Sequence, residues 1–203
     1  MKKFDTIIFD LGGVLIDWNP EYVFKQVFDS EEEMRHFFAE ICTHDWNIQQ
    51  DAGRPLSEAT ETLVAQFPDY EPHIRAYYGR WEEMLGGPIH ETVEILEELH
   101  RRQEHQLLAL TNWSHETFPT ALELYPFLQL FEGIVVSGIE KCIKPDPQIY
   151  NILINRYAVT PQRSLFIDDN AKNVAGAKDL GIEAIQFQSP QQLRSYLETH
   201  RVL

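Results

Sequence analysis

The chain has 203 residues, 43% of them hydrophobic and 12% aromatic, which suits one α/β domain, or a core carrying a smaller insertion, and argues against disorder. Its formal net charge of −15 opposes nucleic-acid binding, which needs lysine and arginine to displace counterions, and makes any anionic ligand depend on a local positive centre. Cys42 and Cys142 stand far apart with no paired motif, so neither a disulfide framework nor a zinc site is expected, and a reducing, cytoplasmic setting is.

After Lys2 and Lys3 the apolar run Ile7-Ile8-Phe9 is too short for a signal peptide. No segment approaches the roughly 20 apolar residues of a membrane span, so a soluble protein is expected. Short runs rich in apolar and β-branched residues predict buried parallel strands over Thr6–Phe9, Gln106–Leu110, Gly133–Val136, Ser164–Ile167 and Glu183–Phe187. Helical periodicity lies between them, over Ile89–Arg101 and Pro145–Tyr157, and Ser189-Pro190 reads as an N-cap with proline opening a last helix. This alternation predicts a Rossmann-like parallel sheet covered on both faces, with its active site at the carboxyl ends of the strands.

The first two strands are separated by far more than the roughly 30 residues of a βαβ unit. Residues 19–86 carry four helical patterns, with turn signals at Gly53-Arg54-Pro55 and Gly86-Gly87-Pro88. A small α-helical unit (residues 19–86) is therefore expected to be inserted after the first strand, on a core made of residues 1–18 and 87–203.

Four strand ends carry the chemistry. Asp10 leaves the first strand into Leu11-Gly12-Gly13-Val14, either as a rigidly held carboxylate beside a loop that approaches a ligand closely or as a turn-binding side chain. Thr111-Asn112 offer a hydroxyl, an amide and backbone N–H groups for phosphoryl oxygens, or a cap for the next helix. Lys144, held extended by Pro145, either neutralises phosphoryl charge or is simply solvated. Asp168-Asp169-Asn170, with Asn173 one turn on, pair two carboxylates that repel unless a cation intervenes; oxygen ligation suits magnesium, and the alternative is a helix cap.

Taken in order, Asp10-Leu11-Gly12-Gly13-Val14, Thr111-Asn112, Lys144-Pro145 and Asp168-Asp169 resemble the four motifs of the haloacid-dehalogenase-like hydrolases, over residues 4–17 and 88–200. The resemblance implies a magnesium-dependent phosphatase with a helical cap. Asp10 would be the nucleophile and form an aspartyl-phosphate; Asp10, the Gly12 carbonyl, Asp168 and Asp169 would hold magnesium. Thr111, Asn112 and Lys144 would bind phosphoryl oxygens, with Lys144 also shielding Asp10 from the acidic pair and Asn173 supporting the metal ligands.

Family phosphatases usually carry a second aspartate, the general acid, where this chain has Gly12. Dehalogenases usually place a tyrosine there and lack the acidic pair, so carbon–halogen hydrolysis and a non-catalytic binding protein stand behind phosphatase activity. A phosphomutase would need the missing acid. The aspartate–leucine–glycine opening resembles bacterial phosphatases of the α-glucose-1-phosphate type, which points to small sugar phosphates. Asp17, His44 and Asp45 are candidate proton donors, or ordinary surface and linker residues; Trp18, Trp46, Trp81 and His44 are candidates for lining the entrance, or helical core. A small phosphorylated substrate, no nucleic acid, no membrane, and a monomer or weak dimer are expected.

Overall fold

The computed structural model describes residues 3–203. Strands β1 (Thr6–Phe9), β4 (Gln106–Thr111), β5 (Gly133–Val136), β6 (Ser164–Asp168) and β7 (Glu183–Gln186) form one sheet in the order β5-β4-β1-β6-β7, parallel at every pairing. Strands β2 (Ile16–Trp18) and β3 (Leu85–Pro88) form a separate antiparallel pair. All five expected strands are present. β4 and β6 each run one residue further than the apolar pattern predicts, so Thr111 and Asp168 complete strands instead of following them.

Alternation along β1 divides its side chains between two cores, as a parallel sheet buried on both faces requires. Ile7 and Phe9 pack on one face with Leu96 and Leu99 of α6 (His90–Arg102) and with Leu193 and Leu197 of α11 (Pro190–Thr199). Ile8 packs on the other with Ile149 and Leu153 of α9 (Pro147–Arg156) and with Val174 and Ala177 of α10 (Ala171–Asp179). The Ser189 hydroxyl accepts the Gln192 N–H and Pro190 starts α11, as expected. Helix α9 starts later than expected because Asp146 caps it, accepting the Gln148 N–H at 2.8 Å. The short helices α7 (Phe118–Leu124) and α8 (Ser137–Glu140) follow β4 and β5.

Between β2 and β3 lie α1 (Glu21–Phe24), α2 (Glu31–Glu40), α3 (His44–Asp51), α4 (Leu56–Gln66) and α5 (Glu71–Gly79), four longer helices and a single turn. Gly86-Gly87-Pro88 is strand and not the expected turn. It pairs with Ile16 and Asp17, and a Cβ on Gly86 would lie 2.2 Å from the Asp17 carboxylate, so glycine there permits a close approach. The two chain crossings are thereby tied into one ribbon.

Phe24 anchors the helices, fully buried with its ring 5.0 Å from Phe37 and 5.2 Å from Phe38. The same apolar cluster continues from these helices to the β1 face that carries Ile7 and Phe9. Phe24→Ala should therefore cost about 3–5 kcal/mol, the usual range for emptying a buried aromatic site, measurable as a lower denaturant midpoint.

Candidate active site

The site forms where three parallel strands end side by side. The Asp10 N–H bonds the Ile167 carbonyl at 2.8 Å, keeping the residue in line with the sheet just beyond β1. Lys144 reaches the same point from the segment after α8 with its side chain fully buried. Its Nζ lies 2.8 Å from Asp10 Oδ1, 2.7 Å from Asp168 Oδ2 and 2.9 Å from the Leu110 carbonyl, which uses all three ammonium protons. The Asn112 amide clamps the lysine backbone, accepting its N–H at 2.8 Å and donating to its carbonyl at 3.0 Å.

Asp168 is fully buried and saturated with donors. Oδ1 accepts the Asn170 N–H at 2.8 Å, Oδ2 accepts Lys144, and Asn173 Nδ2 lies 3.1 Å from both oxygens. Asn170 also caps α10, accepting the Lys172 N–H at 2.9 Å, so the acidic pair and the helix cap belong to neighbouring residues. Asp169 is exposed and faces Gly13, which has φ +74°; a Cβ there would lie 2.5 Å from Asp169 Oδ2. Glycine at 13 thus serves both a left-handed backbone and a close approach. Gly12 has no such constraint: its φ is not positive, and nothing lies within 4 Å of where its Cβ would stand.

Oxygens of Asp10, Asp168 and Asp169 lie within 4.8 Å of one another. With all three carboxylates ionised, a single ammonium leaves two negative charges in excess. Burial pushes the Asp10 carboxyl up to about 8; Lys144 pulls it back, and Asp168 adds to the rise. For Lys144 the loss of water favours the neutral amine, but the two carboxylates outweigh it and hold the ammonium charged. An oxygen-only donor set with a double charge deficit fits magnesium, and Asp169, with fewer partners than Asp168, has oxygen to offer it.

Above this centre is a cleft of about 440 Å³. Asp10, Gly12, Asn112, Lys144, Asp169 and Asn173 reach it from the strand ends, and His44, Asp45, Trp18 and Trp81 from the ribbon and the helices. Thr111 and Asp168 are buried behind it. Asp17 is outside and accepts the Tyr22 hydroxyl at 2.5 Å. Trp46 is helical core, edge-on to Tyr77 at 5.2 Å. Sequence reasoning did not find Asn47, Ile48, Asp51, Tyr78, Trp113 and Ser114 in the lining. Four residues spaced along α3 (His44, Asn47, Ile48 and Asp51) are at the intervals of one helix face, the signal that was available.

A profile for haloacid dehalogenase-like hydrolases matches residues 4–181. The chain belongs to this family. It is 25% identical to the sesquiterpene phosphatase astK of Aspergillus oryzae over 184 residues, covering 91% of this chain and 90% of that one. It is also 25% identical to a phosphorylated carbohydrates phosphatase of Thermotoga maritima, covering 89% and 83%. A crystal structure of a HAD family enzyme from Bacteroides thetaiotaomicron, in complex with magnesium and inorganic phosphate, shares the fold with a TM-score of 0.68 at 22% identity, covering 92% and 95%. The L-2-haloacid dehalogenase of Xanthobacter autotrophicus shares it with a TM-score of 0.64 at 17% identity, covering 97% and 83%. This hydrolase therefore has a fold that serves both phosphate and halide chemistry, and its own site residues must separate the two.

The raised Asp10 carboxyl has a consequence for stability. Its ordinary value is 3.8, so between that pH and about 8 the folded protein holds a proton that the unfolded chain releases, and rising pH weakens the fold across this window. Without metal, the melting temperature of Asp10→Asn should gain steadily on wild type as pH rises from about 4 to 8, and magnesium should narrow the gap at pH 8 by stabilising the wild type.

Proposed function

We propose that this hydrolase is a magnesium-dependent phosphatase that cleaves a small phosphorylated metabolite through an aspartyl-phosphate on Asp10. The observation that carries this reading is the shared lysine: Lys144 joins Asp10 and Asp168 at the base of the cleft, and the remaining double negative charge calls for a divalent cation. The same charges disfavour a haloacid, whose carboxylate would meet Asp168 and Asp169. Relatives named as phosphatases for sesquiterpene and carbohydrate phosphates support phosphate esters as the substrate class.

In this reading Asp10, the Gly12 carbonyl and Asp169 hold magnesium, with Asp168 fixing Lys144 beside them. The metal supplies positive charge to phosphoryl oxygens that a protein of net charge −15 would otherwise repel. Asp10 attacks phosphorus with a carboxylate oxygen, the ester oxygen departs, and water then cleaves the acyl-phosphate. Lys144 supplies positive charge beside the phosphoryl group, the Asn112 amide acts through the lysine backbone that it clamps, and Thr111, expected to bind phosphoryl oxygens, is instead set back behind the cleft because its side chain completes β4 in the core. Asn173 holds Asp168.

Residues 19–86 form the cap over a core of residues 1–18 and 87–203; the cap brings Tyr78 and Trp81 to the cleft, where Trp18 of the ribbon and Trp113 of the loop after β4 also stand, Trp81 edge-on to Trp113 at 5.8 Å. Such walls suit the C–H face of a sugar or a hydrocarbon ring, held while water is excluded. Asp10→Asn should abolish turnover of p-nitrophenyl phosphate, and wild type quenched in acid should carry one phosphate on Asp10. Chelation should remove activity and magnesium should restore it. Turnover by the folded Asp10→Asn variant, or full activity after exhaustive chelation, would overturn the reading.

A further inference from the structure

With glycine at position 12, the usual general acid two residues after the nucleophile is missing, and the carboxyls that do stand beside Asp10 have other tasks in this reading, Asp168 holding Lys144 and Asp169 facing the metal. Among the described cleft residues, His44 and Asp45 are exposed, and the Tyr78 hydroxyl is committed, donating to Asn47 Oδ1 at 2.8 Å and accepting Gln50 Nε2 at 3.1 Å. Asp51, at the last position of α3, is placed differently. The loop after β4 holds its carboxylate through the Ser114 N–H, and Asn47 Nδ2 lies 3.5 Å from Oδ2. Its carbonyl accepts the Ser137 hydroxyl at 2.6 Å, and the same hydroxyl accepts the Trp113 N–H at 2.9 Å.

These contacts fix Asp51 relative to the β4 loop. That loop clamps Lys144 through Asn112, and Lys144 holds Asp10, so hydrogen bonds and the backbone of one loop tie the end of α3 that carries Asp51 to the Asp10 carboxyl in the same cleft. A proton donor needs this kind of placement, on rigid elements and in the same cleft as the nucleophile.

We propose that Asp51 is the general acid and base of this hydrolase, performing from α3 the role that position 12 leaves empty. The proposal rests on the aspartyl-phosphate reading of Asp10. In the first step an Asp10 oxygen bonds to phosphorus, the bond from phosphorus to the ester oxygen breaks, and that oxygen takes the Asp51 proton to leave as the alcohol. In the second step water attacks the phosphorus and gives its proton to the Asp51 carboxylate. The bond from phosphorus to Asp10 breaks, releasing inorganic phosphate.

Burial pushes the Asp51 carboxyl up to about 7, against the pull of the Ser114 N–H and Lys144, so both proton states are populated near neutrality. The titratable or charged groups around it are Lys144 from the core, Tyr77 and Tyr78 from α5, Arg54 after α3, Lys141 next to Gly53, and His44 and Asp45 at the start of α3.

The test compares wild type, Asp51→Asn and Asp51→Asn/Gly12→Asp, each with magnesium, on p-nitrophenyl, phenyl and ethyl phosphate. An amide still accepts the Ser114 N–H, and thermal melting checks that the fold is kept. Asp51→Asn should lose about 10²–10⁴-fold on ethyl phosphate and much less in the first step on p-nitrophenyl phosphate. Acid-quenched phosphoenzyme should accumulate with the latter, and the fall in ethyl phosphate cleavage above about pH 7 should disappear. Gly12→Asp should return part of the lost rate, because its Cβ meets nothing within 4 Å.

An equal loss on all three esters with no phosphoenzyme build-up, or activity within a few-fold of wild type, would overturn the proposal. So would an Asp51 carboxyl that titrates in the ordinary carboxylate range by NMR of the metal-free protein. An active Asp10→Asn variant with no trappable phosphoenzyme would overturn the nucleophile instead, while the ester dependence of Asp51→Asn would still report on the acid.

Discussion

The structure depends on one buried ammonium. Lys144 binds Asp10 and Asp168 together and spends its third proton on the Leu110 carbonyl, so β1, β4 and β6 meet at a single charged atom. Removing one lysine and two carboxylates from water is costly, and a lone buried ion pair seldom repays its desolvation. Here the balance is worse than for a pair, because one positive charge faces three carboxylates. Burial raises the Asp10 carboxyl, Lys144 pulls it back and Asp168 adds to the rise, so the carboxyl shows the cost of removing these charges from water. A fold selected for stability alone would not keep this cluster; in the proposed phosphatase it serves to attract a divalent cation and a phosphoryl group.

The cores on either side of the sheet hold this charge in place. Strand β1 is buried on both faces, and its neighbours β4 and β6 leave Asp10 little freedom to move away from the lysine. Asn173, from the first turns of α10, and the Asn170 N–H saturate Asp168, so the inner carboxylate works as a fixed prop while Asp169 faces outward. The two acidic neighbours thus differ in role because successive residues at a strand end point to opposite sides.

The helices between β2 and β3 turn this strand-end centre into a cleft. Their aromatic core is continuous with one face of the sheet, and Ser137 joins the Asp51 carbonyl to the loop after β4. In the proposed reading, aromatic walls, the buried lysine and a carboxyl group from α3 suit one end of the cleft to phosphate and the other to an organic group. An overall charge of −15 does not prevent this in the same reading, since the Lys144 ammonium and a bound cation would lie inside the protein where solvent screens them least.

Asp10 and Asp168 were legible in the sequence because each stands where an apolar, strand-forming run stops, and Lys144 because Pro145 marks it beyond the third such run; period and turn chemistry are local properties of the chain. The same holds for the five parallel strands, the capped helix at Ser189 and the helical segment between the first two core strands. Other features depend on residues distant in sequence meeting in space. Local pattern did not separate Trp18 and Trp81, in the cleft, from Trp46, in the helical core, nor show that the Asn112 amide is spent on Lys144. Gly86-Gly87-Pro88 looks like a turn until its partner strand, nearly seventy residues earlier, is known. Whether Gly12 needed glycine was equally hidden, since backbone angle and empty space are not encoded by neighbours. Asp51 is the clearest case. Its sequence neighbours mark only the end of a helix, and its nearness to Ser114 and Lys144 is a product of packing across the cleft.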